Sequence, residues 1–181
     1  YGCLVGSEMC IRDRPQSVQL TVSSQGTLLP TIETDLIAEV SGRVIKVSDS
    51  FQIGNHFRKG DSLIKIDPAD YEAAAANASA DLADAKLALA QEQAQSEQAA
   101  ADWQALGEGN ASDLTLRKPQ LTRAKARIAS AEARLKRALR DLARTEITAP
   151  YDGIVLSKQV DLGQFVIANP ANPLGRVYAT G

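Results

Sequence analysis

Apolar positions recur along this chain with two different periods. Between Val18 and Ile66 they alternate with polar residues, whereas between Tyr71 and Thr145 they return every three or four residues. The alternating stretches are Ser17–Ser23, Thr34–Val40, Gly42–Val47 and Ser62–Ile66, bounded by Gly26, Pro30, Gly54 and Arg58-Lys59-Gly60-Asp61. They predict short strands, with Thr34–Val40 and Gly42–Val47 as a strand pair and Ser17–Ser23 as a half-buried strand of its own.

The helical period begins at Asp67-Pro68. Asp67 can accept from the free N–H groups of a first turn, and Pro68 suits a position that needs no donor. From there to Leu106 the chain contains no further Gly or Pro and is dense in Ala, Leu, Gln and Glu. A second arm is predicted from Ser112 to about Thr145, because Leu114, Leu121, Ile128, Leu135 and Leu142 recur every seven residues. Its companion seam holds Arg117, Ala124, Ala131, Ala138 and Thr145. The first arm has seams at Ala75, Leu82, Leu89, Ser96 and Trp103, and at Tyr71, Ala78, Ala85, Glu92, Ala99 and Leu106. Pro119 lies inside this second arm and predicts a kink there.

Gly107-Glu108-Gly109-Asn110-Ala111 is short enough to make the arms antiparallel neighbours. A fold centred there pairs residues whose numbers sum to about 220. Ala99 then meets Leu121, Leu89 meets Ala131, Ala85 meets Leu135, Leu82 meets Ala138 and Ala78 meets Leu142. Each such layer sets a large side chain against a small one. Charge segregates in the same way: Ala69–Leu106 has seven acids against Lys86 alone, and Asp113–Glu146 has ten bases against four acids. Opposite arms of −6 and +6 favour pairing with each other over pairing with themselves. Each arm would reach roughly 50–55 Å.

The β period resumes after the second arm and repeats the first. Val40-Ser41-Gly42-Arg43-Val44 matches Tyr151-Asp152-Gly153-Ile154-Val155, and Gly54-Asn55-His56-Phe57 matches Gly163-Gln164-Phe165-Val166. Two similar halves flanking the helices are expected to close into one sandwich. The expected fold class is therefore α+β: a long antiparallel hairpin inserted between the two halves of a β-sandwich.

Composition narrows the function. The chain has 181 residues, 4% aromatics and a net charge of −2, which suits a thin rod better than an enzyme built round a deep pocket. No apolar run approaches about 20 residues, so none reads as a membrane-spanning helix. The basic residues lie beside an acidic arm, which argues against nucleic acid as a partner. No catalytic set, cofactor cradle or metal spacing stands out, and His56, the lone histidine, reads as a turn residue. Glu92 reads as a wet defect facing Ile128, and Trp103 as stacking on Arg117. Cys3 and Cys10 both fall in Tyr1–Arg14, a segment that resembles translated sequencing adapter and is set aside as a non-native leader.

Ala38-Glu39-Val40-Ser41-Gly42-Arg43-Val44, the run Arg58–Pro68, Thr145–Gly153 and Val160-Asp161-Leu162-Gly163-Gln164 together resemble the periplasmic adaptor subunits (membrane fusion proteins) of tripartite efflux pumps. The resemblance covers Val18 to Gly181 and is strongest to adaptors of resistance–nodulation–division transporters. It implies a lipoyl-like sandwich over 34–67 and 147–181, a hairpin over 68–146, and the entering strand of a truncated β-barrel over 15–33. By the same resemblance the protein is a periplasmic adaptor, not an enzyme, without cofactor or metal, and anchored to the inner membrane in its full-length form. Its implied partners are an inner-membrane transporter, an outer-membrane channel, and further copies of itself in a ring.

The implied docking tip is Leu106, Gly107, Gly109, Ala111, Ser112 and Leu114. Many such adaptors carry an Arg, a Leu and a Ser at set spacing there. Ser112 and Leu106 approximate the last two, but Ala101 stands where the arginine is expected. Two alternatives are an adaptor of an ABC-type or type I secretion exporter and a lipoyl or biotinyl carrier. The carrier needs a lysine between the β halves, where this chain has Asp67-Pro68 and Ala149-Pro150.

Overall fold

The computed structural model describes residues 17, 19–26, 30, 32–107 and 109–180. Its elements are β1 (Glu33–Leu36), β2 (Gly42–Val47), β3 (His56–Phe57), β4 (Ser62–Ile66), α1 (Ala69–Leu106), α2 (Lys118–Ala143), β5 (Glu146–Thr148), β6 (Gly153–Lys158), β7 (Phe165–Val166) and β8 (Gly175–Ala179). The strands form two four-stranded sheets, ordered β1-β8-β6-β3 and β5-β4-β2-β7. Each sheet mixes strands from before and after the helices.

The two orders are one order written twice. Exchanging β1 for β5, β2 for β6, β3 for β7 and β4 for β8 converts either sheet into the other. The sequence repeat is thus an internal pseudo-twofold. Gly54 donates its N–H to the Val155 carbonyl at 2.9 Å, and its counterpart Gly163 donates to Val44 at 2.8 Å. Both glycines have φ of 84°, a left-handed turn conformation that costs glycine little. The ladder irregularity between Val44 and Lys46 recurs between Val155 and Ser157. Side chains from both sheets, among them Phe57, Val155 and Val177 from one and Val44, Leu63 and Ile66 from the other, share a single core with Phe51 and Val160.

The sandwich also sets the helices. β4 pairs antiparallel with β5, Ile64 opposite Ile147 and Lys65 opposite Glu146, so the chain leaves for α1 and returns from α2 on neighbouring strands. The Ile66 N–H donates to Thr145 O at 2.8 Å, and the Tyr71 hydroxyl donates to Ser41 O at 2.7 Å. The Asp67 carboxylate accepts the Ala69 N–H at 3.1 Å, as its place before α1 predicts.

Four expectations are corrected. Residues 17 and 19–26 carry no strand; with no ladder partner among the described residues, Leu20 and Val22 stand 87% and 88% exposed. Residues 15, 16, 18, 27–29 and 31 of that entering segment, and the leader Tyr1–Arg14, lie outside the described residues. β1 pairs with β8 and β2 with β4 and β7, so Thr34–Val40 and Gly42–Val47 do not form a strand pair. Arg176 on β8 locks the β1 contact by bonding Asp35 at 2.7 Å and Glu33 at 3.2 Å. The Asp35 hydrogen bond and the nearby carboxylates raise its pKa further.

The second helix begins at Lys118, not Ser112, with Pro119 in its first turn in place of a mid-helix kink. Proline is pre-set for that position and would have broken a ladder further in. The arms are accordingly unequal, 38 and 26 residues.

The register differs too. The β4–β5 ladder pairs residues summing to 211, as Ile64 with Ile147 does. Arm-to-arm contacts continue near that value: Glu92 with Arg117 gives 209, Ser96 with Leu116 gives 212, and Asp81 with Arg134 gives 215. Ala85 lines a groove with Ala131, so the expected pairing with Leu135 is off by about one helical turn. The base ladder fixes the register, and the connector absorbs the difference by running back along the end of α1.

Candidate functional site at the hairpin tip

Ala78, Leu82, Ala85, Leu89 and Ala99 on α1 are half-buried, as are Leu121, Ile128, Leu135, Ala138 and Leu142 on α2; Ala131 is buried. A groove of about 440 Å³ on one side of the seam is floored by Ala85, Ala88 and Ala131 and walled by Asp81 and Asp84 on α1 and by Arg127 and Arg134 on α2. A second, of about 290 Å³, continues it past Ala88, Ala124, Arg123 and Arg127.

Cross-arm ion pairing is sparse. Among the described residues it comprises Glu92–Arg117 at 2.8 Å and Asp81–Arg134 at 3.5 Å. Asp84, Arg123 and Arg127 line these grooves without an ion pair to any described residue, so much of the segregated charge is not matched across the seam. It does not mainly hold the arms together.

The tip is built from an overhang. Gly107, with φ of 69°, ends α1 in a left-handed cap and donates its N–H to Gln104 O. The connector then returns beside the last turns of α1. Trp103 donates its indole N–H to Gly109 O at 3.1 Å, which replaces the expected stacking on Arg117. The Ser96 hydroxyl donates to Leu116 O at 2.7 Å. Glu92 receives a forked bond from Arg117, so it is a paired anion and not a wet defect. Ser112 accepts the Thr115 N–H at 3.1 Å and so caps a turn within the connector instead of α2.

Of the six expected tip residues, Leu106 and Leu114 are the exposed apolar groups, at 71% and 70%. Gly107, Gly109 and Ser112 are exposed, and Ala111 is half-buried. Sequence reasoning missed Glu92, Ser96, Trp103 and Arg117 as the groups that hold the connector. Pro119 was the available signal, since a helix starting there leaves a long loop to be fastened. No group of acids, histidines or cysteines that could hold a metal occurs among the described residues. No helix there is long and apolar enough to cross a membrane.

The model of the RND MFP barrel-sandwich hybrid domain matches residues 33–176, which takes in both helices, β1 to β7 and the start of β8. The chain belongs to this family of RND membrane fusion proteins. Multidrug resistance protein MdtA of Escherichia coli (strain K12) is 30% identical over 151 residues, covering 82% of this chain and 35% of that protein. Multidrug resistance protein MdtE of Escherichia coli (strain K12) is 29% identical over 160 residues, covering 88% and 41%. This family member therefore spans about a third to two fifths of the length of those relatives. A solved MacA-MexA chimera containing the Pseudomonas aeruginosa MexA α-hairpin domain aligns with TM-score 0.60 and 32% identity, over 82% of this chain and 48% of that one. Membrane fusion protein Spr0693 of Streptococcus pneumoniae R6 aligns with TM-score 0.62 at 18% identity, over 83% and 61%, a likeness of fold alone.

Proposed function

We propose that this chain is the sandwich and hairpin of a periplasmic adaptor that links an inner-membrane efflux transporter to an outer-membrane channel. It takes no part in covalent chemistry and needs no cofactor; its work is to hold two partners in line. The family match favours a resistance–nodulation–division transporter over an ABC-type or type I exporter. The full-length protein is anchored to the inner membrane and self-associates into a ring, in which Asp84, Arg123 and Arg127 lie against neighbouring hairpins. The sandwich is the lipoyl-like module of the adaptor.

The observation that carries this reading is the tip. Leu106 and Leu114 stand exposed at the far end of a hairpin whose other end is fixed in a closed sandwich. Exposed leucines at the end of a rod suit a desolvated helical contact, and a charge there penalises such a contact without touching a core. Leu106→Asp and Leu114→Asp in the full-length protein are the test, with ethidium accumulation in cells as the readout. Both variants are expected to abolish efflux at normal adaptor abundance. Normal efflux from both refutes the tip as the docking site.

A further inference from the structure

We infer that Glu92 and Arg117 form a latch that positions the tip, an inference that rests on the docking reading of that tip. Arg117 is the only non-glycine residue among those described with a positive φ, 57°. It lies between the connector and α2, in a left-handed conformation that an L side chain does not favour. The turn before it closes on the backbone there: the Lys118 N–H donates to Asp113 O at 3.0 Å and the Arg117 N–H to Leu114 O at 3.1 Å, the bond pair that accompanies a left-handed residue at the end of a helical turn. From that position the guanidinium reaches α1. Its Nη2 donates to Glu92 Oε2 at 2.8 Å and Oε1 at 3.1 Å, and its Nε donates to Oε2 at 3.2 Å.

The pair joins the end of the connector to the middle of α1. Both side chains are about two thirds covered, at 34% and 27% exposure, so solvent screens them less than the 62% and 57% exposed Arg134–Asp81 pair. One turn further along α1, Ser96 holds the Leu116 carbonyl; beyond it, Trp103 holds that of Gly109. The connector is fastened to α1 at three levels, and the ion pair is the lowest and, among the described residues, the only charged one; a separate Asp113–Lys118 pair at 2.7 Å ties the connector to α2. Leu106 and Leu114 sit above it, and neither is buried against anything that would place it. A fork between planar groups fixes direction as well as distance, which lysine cannot reproduce.

Two variants separate the pair from the backbone strain. Glu92→Gln keeps Arg117 and weakens the fork; Arg117→Gly relieves the left-handed conformation and removes the fork. In full-length protein spin-labelled at positions 87 and 114, both are expected to broaden the distance distribution. The released connector gains about tenfold in population, the factor that corresponds to losing one charged hydrogen bond. Arg117→Lys should fall between, and thermal unfolding of the sandwich should not move. Ethidium efflux is read in cells carrying the same substitutions without the spin labels, so that Leu114 stays in place. A narrow, unchanged distribution in both Glu92→Gln and Arg117→Gly overturns the latch. A broadened distribution with normal efflux upholds the latch and overturns the docking reading on which its purpose rests.

Discussion

The sandwich and the hairpin of this molecule are held together by different means. Phe51, Leu63, Ile66 and Val177 lose all contact with solvent inside the sandwich, whereas the only buried side chains on the two helices are Ala75, Ala124 and Ala131. One region closes a core from eight strands. The other is two helices thick and is open on every side but one. The core therefore gives the sandwich its own stability, and the hairpin borrows order from it through the β4–β5 ladder and the Tyr71–Ser41 bond. A region that buries so little of itself has most of its surface available to partners, which is what an adaptor requires of its projecting arm.

That contrast is breakable by mutation. Phe51→Ala should cost about 3–5 kcal/mol, the usual loss for a phenylalanine in a core that cannot collapse, as read by urea unfolding. Leu135→Ala, at a half-buried seam position, should cost about 1–2 kcal/mol, because less apolar area leaves solvent there. Equal losses at the two sites would erase the distinction between core and seam. A register test is sharper still: cysteines at 85 and 131 should oxidise to a disulfide, and cysteines at 85 and 135 should not. Smallest of all, Asp81→Ala should cost roughly 0.2–1 kcal/mol and lose that effect in high salt, because its pair with Arg134 is exposed.

Much of this architecture is legible before any coordinates. The repeat of Gly42 to Val44 in Gly153 to Val155 and of Gly54 in Gly163 became a pseudo-twofold sandwich, because turn glycines and alternating apolar residues are local signals. The heptads marked seam positions that are mostly half-buried in the structure, for the same reason. Register was not legible from them, since the repeated alanine and leucine seam positions allow several slips of similar quality. It is fixed by Ile64 against Ile147, a pairing between residues far apart in sequence. The tip was misread at Pro119, where a continuous heptad pattern outweighed the rule that proline begins helices. Leu114, counted as a seam residue, is exposed for that reason.

The central claim is that the hairpin end meets an outer-membrane channel, and it is most directly tested by photo-cross-linking in cells. A photoreactive amino acid placed at position 114 in the full-length protein should give an adduct with an outer-membrane channel protein. The same group at position 139, exposed near the sandwich end of α2, should give none with the channel. Channel adducts from 139 with none from 114 would contradict the account.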